Sequence, residues 1–182
     1  MAIFPGTIAL GKFRIIYQEE RQRSAVDGDG YFLQQRAIIR LNEDLVRIAN
    51  QEDYTVYCDD DHFKQQAGRR PSPLQYFIAA IGFCMFSQLK RLAAKARLVF
   101  DDLEMDLRMT YDVRGSFSIN DLAQTAQGIS YTFKIKTDSS PESIIKLMQA
   151  ADKCCHTVNS MRKRMAVCGK FVLNDREYQI GD

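Results

Sequence analysis

The sequence predicts an α+β domain in which an antiparallel sheet packs against one long central helix. The segment from Leu74 to about Arg97 has apolar residues at helical spacing, and a second helical pattern follows Pro141. The segments 105–113 and 129–136 alternate strictly between apolar and polar residues. Such alternation is typical of half-buried strands, with one face on a core and one in water. A chain of 182 residues is long enough to bury a core without metals or disulfides.

The first 37 residues are mixed in character and are expected to form an N-terminal extension. The main domain is expected to span residues 38–182. Within the extension, a charged stretch at 18–23 precedes the turn signal Asp27-Gly28-Asp29-Gly30. Two short strands are predicted early in the main domain, at Leu45–Ala49 and Tyr54–Cys58. A polar connection then leads to the long helix.

Ser72 and Pro73 mark the start of the clearest helix, because serine is a favoured N-cap and proline suits the first helical position. Its first half is apolar on nearly all sides, which predicts burial inside a larger body or an oligomer. Its second half turns basic, which suits the C-terminal end of a helix dipole. The apolar positions at helical spacing are Phe77, Ile78, Ile81, Cys84, Met85, Leu89 and Leu92.

The elements after the two alternating strands begin with a second helix start, where serine, proline and glutamate follow one another at 140–142. An apolar stripe continues to residue 151. A further helical stretch is predicted from Val158 to about Met165. Strands at 167–173 and 177–180 complete the domain.

Composition and charge exclude several classes of protein. The net charge is +2 with acids and bases interspersed, which argues against nucleic-acid binding. No uninterrupted apolar run is long enough to span a bilayer, and the start lacks a basic segment followed by an apolar one. We therefore expect a cytoplasmic protein with no nucleic-acid or membrane partner, whose thiols are kept reduced.

The five cysteines do not form a disulfide framework, because their number is odd and their spacing irregular. No cysteine and histidine array indicates a metal. Cys84 lies three turns into its helix, which by itself is typical of a core cysteine, and Cys58 and Cys168 are also expected in the core. Cys154 and Cys155 lie at a helix end or junction. Adjacent cysteines rarely bridge, so a redox pair would join one of them to a distant cysteine.

Two segments resemble those of a known family. The segment Pro73–Cys84 (PLQYFIAAIGFC) resembles the first active-site segment of the OsmC/Ohr family, the osmotically inducible and organic-hydroperoxide-resistance proteins. There a proline opens a helix rich in alanine and glycine, and a cysteine follows eleven residues later, where Cys84 stands. The segment Ala150–Met161 (AADKCCHTVNSM) resembles the second, with Cys155 in register. The resemblance covers roughly Ile38–Leu173.

The resemblance implies an intertwined homodimer in which two long central helices lie against each other. It also implies a thiol-dependent peroxidase: Cys84 attacks an organic hydroperoxide and becomes a sulfenic acid, and Cys155 resolves it to a disulfide. A dithiol such as dihydrolipoamide would then reduce the disulfide, and no bound cofactor or metal is implied. Apolar neighbours of Cys84 on the helix favour small hydrophobic hydroperoxides.

The chain departs from the family pattern near the first cysteine. Many members carry a glutamate directly after the proline, where this chain has Leu74, and take an arginine from an upstream loop. Arg69 and Arg70 are candidates for that activating cation, and Gln75 is a candidate supporting residue.

The second segment also departs from the family pattern, because His156 replaces the usual proline. Its imidazole is either a local proton donor or cation, or a surface or capping group. Cys154 is an alternative partner for Cys84. These departures keep open an alternative function, a non-catalytic dimeric binding module that lacks the activating glutamate and arginine.

Overall fold

The structure is a computed structural model that describes residues 36–41, 47–51, 54–58, 70–111, 126–163 and 167–180, with helical residues at 15, 18–19 and 21–22. In chain order the described elements are strands and helices of an α+β protein. They are β1 (Ile38–Leu41), β2 (Arg47–Gln51), β3 (Tyr54–Cys58), α1 (Pro73–Ala96), β4 (Asp102–Tyr111), β5 (Ala126–Lys136), α2 (Pro141–Cys154), α3 (His156–Arg162), β6 (Gly169–Leu173) and β7 (Arg176–Ile180).

The long helix α1 is confirmed within a residue or two of its predicted bounds. Its start is a capping box: the Gln75 N–H donates to Ser72 Oγ at 3.4 Å, and the Ser72 N–H donates to Gln75 Oε1 at 2.9 Å. Its end is fixed by Arg97 in the left-handed conformation with φ of 58°. The Leu98 N–H then donates to the Ala93 carbonyl at 3.0 Å, which satisfies one of the last helical acceptors.

The two alternating strands are also confirmed. β4 and β5 pair antiparallel with Met105 opposite Phe133, and their alternate side chains pack against the core. The Phe86 ring of α1 meets the Phe133 ring edge-on, with centroids 5.8 Å apart. One face of this sheet therefore covers α1, as the period-two pattern predicts for a half-buried strand.

The other described strands form two further antiparallel sheets, so the expectation of one sheet is corrected for this part of the chain. β1, β2 and β3 make a three-stranded sheet, in which β1 was not predicted and β2 contains the described part of the strand predicted at 45–49, whose residues 45 and 46 lie outside the described residues. β6 and β7 form a hairpin turned by Asn174 and Asp175, both at positive φ. Alternation alone could not separate these sheets, because their strands expose most side chains on both faces.

The second helical region divides at Cys155. α2 begins after the Ser140 cap as predicted, and its last residue is Cys154. α3 starts at His156, two residues before the predicted start. Cys155 itself is extended, with φ of −75° and ψ of 113°, and is both the C-cap of α2 and the N-cap of α3. One non-helical residue, Cys155, therefore separates α2 from α3.

The core lies between α1, the sheet of β4 and β5, and the helices α2 and α3. Its fully buried members are Ile81, Met85, Leu89, Ala93, Phe100, Ala151 and Cys155. Cys168 is exposed just before β6 and Cys58 is partly buried, so the expectation that Cys168 is a core residue is wrong. Among the described residues, the core cluster includes none of β6 or β7, the hairpin that Cys168 precedes.

By length and composition alone, α1 is apolar enough to cross a membrane, which corrects the expectation that no segment reaches that length. The core helix of a soluble protein passes the same test, so this is weak evidence. Only part of the apolar residues of α1 face β4, α2 and α3, since Phe77 and Phe83 are exposed.

Candidate active site

Cys84 lies in the middle of α1, where its partly buried side chain packs against the core cluster. Cys155 belongs to that cluster and is 0% exposed. Packing of α1 on α2 and α3 brings Cys84 against the cluster that contains Cys155, and the Cys155 thiol is one of the groups that lower the pKa of Cys84. The pair expected from the two sequence segments therefore meets in one place.

The junction between α2 and α3 is held by Asn159. Its side-chain Nδ2 donates to the carbonyls of Cys155 at 2.8 Å, Lys153 at 2.9 Å and Asp152 at 3.3 Å. Such carbonyls at a helix C-terminus have no partner within their own helix. The Asn159 N–H also donates to the Cys155 carbonyl at 3.0 Å, which is the first helical bond of α3. Asn159 thus fixes the turn in which Cys155 sits.

A carboxylate clamp joins the same junction to the sheet. Arg162 of α3 donates from two nitrogens to the two oxygens of Asp152 on α2, at 2.6 and 3.0 Å, and Tyr131 Oη of β5 donates to Asp152 Oδ1. Hydrogen bonds from Arg162, then from Tyr131, hold the pKa of Asp152 below its ordinary value. Burial, then the Asp152 carboxylate, raises the pKa of Tyr131. Bidentate pairing adds geometric constraint to the modest energy of an exposed ion pair.

The Cys84 thiol has a lowered pKa. Burial raises it, but four hydrogen bonds together outweigh that effect: from the Thr157 backbone, the Thr157 side chain, the Cys155 thiol and the His156 backbone, in decreasing order. Among the groups of the described chain that shift this pKa, none is a cation or a carboxylate. The thiolate of Cys84 is therefore stabilised by neutral donors at the start of α3.

Thr157 is a functional residue that sequence reasoning missed. Its hydroxyl lies 3.3 Å from Cys155 Sγ, and it also lowers the pKa of the Cys84 thiol. A threonine two residues after a cysteine carries no sequence signal of its own. A correct start for α3 would have pointed to it, because the first residues of a helix have N–H groups without helical partners.

The structure does not bring the described candidates from the first segment, Gln75 and Arg70, to Cys84. The side chain of Gln75 closes the capping box of α1, and Leu74 is 39% exposed on the same first turn. The Arg70 guanidinium lies over the Tyr57 ring, 5.4 Å from its centroid. Arg69 lies outside the described residues.

The candidates from the second segment, Cys154 and His156, both have exposed side chains. Cys154 is exposed at the end of α2, whereas Cys155 is buried against Cys84, so the geometry favours Cys155 as the partner. The side chain of His156 is exposed, and it is the backbone N–H of His156 that acts on Cys84. Of the alternatives for this histidine, its position fits the surface role for the imidazole.

This arrangement can carry thiol chemistry. Cys84 is stabilised as the nucleophilic thiolate, is partly accessible and has a second thiol within hydrogen-bonding reach. Among the described residues, no group of three or more His, Cys, Asp or Glu side chains could hold a metal ion.

Comparison with known proteins identifies the family of this chain. A family model described as OsmC-like protein matches residues 65–167, which contain both cysteines and the helices that position them. The chain belongs to the OsmC family. No curated protein matches it significantly.

Solved structures of OsmC relatives share the fold. The OsmC-like protein of Mycoplasma pneumoniae is 15% identical with a TM-score of 0.62, over 72% of this chain and 89% of that one. The organic hydroperoxide resistance protein OhrB of Bacillus subtilis is 17% identical with a TM-score of 0.53, over 71% and 91%. An organic hydroperoxide resistance protein OsmC from Legionella pneumophila is 16% identical with a TM-score of 0.53, over 72% and 91%. At these identities the likeness establishes the OsmC-like fold.

The lowered pKa of Cys84 predicts its reactivity against pH. A lower pKa gives a larger thiolate fraction at a given pH, so iodoacetamide alkylation of Cys84 should reach its plateau at a lower pH than that of a short cysteine peptide. Replacing His156 by proline removes one N–H donor at a helix position that tolerates proline, and should move the inflection to higher pH. His156→Ala keeps the donor and is the matched control. Mass spectrometry of the Cys84 peptide gives the rate, and an inflection that moves equally in both variants would assign the effect to the imidazole.

The Asn159 cap predicts a linked loss of stability and thiol activation. Asn159→Ala leaves up to three carbonyls without this donor and should cost about 1–3 kcal/mol of unfolding free energy in urea. The looser junction should also raise the pH at which Cys84 is alkylated. Asn50→Ala removes an exposed acceptor of Thr55 in the β1–β3 sheet and should leave the profile of Cys84 unchanged. If Asn159→Ala is less stable but keeps the wild-type pH profile of Cys84 alkylation, the cap stabilises the fold without acting on the Cys84 thiol.

Proposed function

We propose that this OsmC protein is a thiol-dependent peroxidase that reduces organic hydroperoxides. The observation that carries the proposal is a mid-helix cysteine, Cys84, that packs against the core cluster containing a second thiol, Cys155, and whose pKa is lowered in part by that thiol. Relatives of the same fold from Bacillus subtilis and Legionella pneumophila are named for organic hydroperoxide resistance.

The reaction follows from these two thiols. The Cys84 thiolate attacks one peroxide oxygen, the O–O bond breaks, and the alkoxide leaves as the alcohol after taking a proton. Cys84 then carries a sulfenic acid, which condenses with the Cys155 thiol to a disulfide and water. An external dithiol of the dihydrolipoamide kind returns both cysteines to thiols by exchange, so no bound cofactor takes part.

The surface beside Cys84 supports a hydrophobic substrate. Phe83 is 73% exposed and Phe77 is 44% exposed on α1, on turns that flank the cysteine. An aryl or alkyl hydroperoxide can bury apolar area against such residues, whereas hydrogen peroxide has none to bury. We therefore place small organic hydroperoxides ahead of hydrogen peroxide as substrates.

The alternative is a binding module of the same fold without catalysis, and Leu74 in place of the family's glutamate favours it. Arg70 contacts Tyr57 instead of Cys84, which removes one candidate for the family's cation. The donors from Thr157 and His156 argue against this alternative, because they lower the pKa of Cys84 without either residue.

Stoichiometric oxidation tests the peroxidase. With one equivalent of cumene hydroperoxide, we expect the wild-type protein to lose two thiols per chain and to form a Cys84–Cys155 disulfide, mapped by peptide mass spectrometry. Cys84→Ser should lower peroxide consumption to the rate of a buffer control. Cys155→Ser should retain consumption and accumulate a sulfenic acid that dimedone traps.

Cys154→Ser is the matched control, since it removes the exposed neighbour of Cys155. It should form the same disulfide as the wild type. Peroxide consumption that is unchanged in Cys84→Ser would leave the binding module as the better description.

We further propose that the protein is a homodimer joined through α1. Phe77, Ala80 and Phe83 are exposed at intervals of three residues on a helix whose other face is buried. Large apolar side chains at this spacing form a contiguous patch on one side of a helix, and a second copy of the same patch would cover it. The exposed face thus lies next to the cysteine that the reaction uses.

The dimer is tested by placing a charge in this patch. Phe77→Glu should convert a dimer to a monomer in sedimentation equilibrium, because a carboxylate cannot be buried unpaired in an apolar interface. Phe171→Glu on β6 is the matched control, because Phe171 is 45% exposed against 44% for Phe77. A wild-type protein that sediments as a monomer, or a Phe77→Glu variant that remains dimeric, would contradict the proposal.

A further inference from the structure

The hydroxyl of Thr157 is placed between the two sulfurs of the site. It lies 3.3 Å from Cys155 Sγ, and either atom of that pair can be the donor. Hydrogen bonding from the same hydroxyl and from the N–H of the same residue lowers the pKa of the Cys84 thiol. Thr157 is partly buried on the first turn of α3, directly after the turn that Asn159 holds.

A hydroxyl suits this place because it donates one hydrogen bond and accepts others at the same time. Toward Cys155 it can accept the S–H proton, and toward Cys84 it can donate its own. Cys155 is 0% exposed, so bulk water does not reach its thiol in this conformation. A proton that leaves Cys155 therefore needs a protein group, and Thr157 Oγ1 is in contact.

We propose that Thr157 is a catalytic residue of the resolving step, in which its hydroxyl relays the proton from the Cys155 thiol to the oxygen that leaves Cys84. This inference rests on the peroxidase proposed above. It assigns to the chain's own side chain the general acid that sulfenic acid condensation needs.

The step balances in atoms and electrons. The Cys155 sulfur attacks the sulfur of the Cys84 sulfenic acid, the S–S bond forms and the S–O bond breaks. Cys155 is oxidised and the sulfenic sulfur is reduced. The Cys155 proton passes to Thr157 Oγ1 while the Thr157 proton passes to the departing oxygen, which leaves as water. Thr157 is unchanged at the end, and the organic hydroperoxide of the first step is the only oxidant.

The test separates the two steps of the reaction. Protein is mixed with one equivalent of cumene hydroperoxide, and aliquots are treated with dimedone to trap the sulfenic acid and with N-ethylmaleimide to block free thiols. Mass spectrometry of the Cys84 and Cys155 peptides gives one rate constant for sulfenic acid formation and a second for disulfide formation.

Thr157→Val removes the hydroxyl but keeps the branched shape and the N–H, and should slow disulfide formation at least about tenfold. Thr157→Ala is a second variant without the hydroxyl, in case valine disturbs the turn. Thr157→Ser restores the hydroxyl and should restore a rate near that of the wild type. Ser160→Ala, which removes a partly buried hydroxyl elsewhere on α3, should leave both rate constants unchanged.

The outcomes distinguish this inference from the proposed function. If the wild type forms the Cys84 sulfenic acid and Thr157→Val or Thr157→Ala forms the disulfide at the wild-type rate, the relay is overturned and the peroxidase stands. If Thr157→Ser is as slow as Thr157→Val, a hydroxyl at this position does not restore disulfide formation, and the relay is again overturned. If the wild type yields no dimedone adduct and no disulfide, the peroxidase itself fails and the relay fails with it.

Discussion

The turn of the chain at Cys155 is the constraint on which the site depends. A cysteine three turns into a helix gains nothing from the N–H groups of its own helix, since these are all bonded to carbonyls one turn earlier. Cys84 therefore depends on a second element for stabilising donors. The extended conformation of Cys155 ends α2 and starts α3, which leaves the N–H groups of His156 and Thr157 free to point at α1.

The balance at Cys84 is one of burial against hydrogen bonding. Packing on the core raises the pKa of the thiol, and the same packing brings Cys155 and the start of α3 close enough for the hydrogen bonding that lowers it. A more exposed cysteine would avoid the first effect and lose the second. The clamp of Asp152, Arg162 and Tyr131 joins α2 and α3 to β5. The sheet therefore also helps to keep the α3 donors close to Cys84.

Much of the fold could be predicted from the sequence, because its signals are local. The capping serines and prolines fix the starts of α1 and α2, and strict alternation fixes β4 and β5. β1 could not be predicted, since a four-residue strand in which Ile38, Ile39 and Arg40 are all exposed carries no period. In the site, Cys84 and Cys155 could be predicted from their positions in the two segments. The roles of Thr157, Asn159 and Asp152 could not be predicted. Their contacts depend on where α2 ends, and a sequence pattern locates a helix boundary poorly.

The position of His156 has a consequence for how such a site can change over time. Its imidazole points to solvent while its N–H faces Cys84, so the donor belongs to the main chain and not to the residue type. Nineteen of the twenty amino acids would supply the same N–H there, and only proline would withdraw it. Substitution of His156 by any residue except proline therefore keeps the N–H donor to Cys84. A comparison of side chains across relatives would not detect this donor, because it belongs to the main chain.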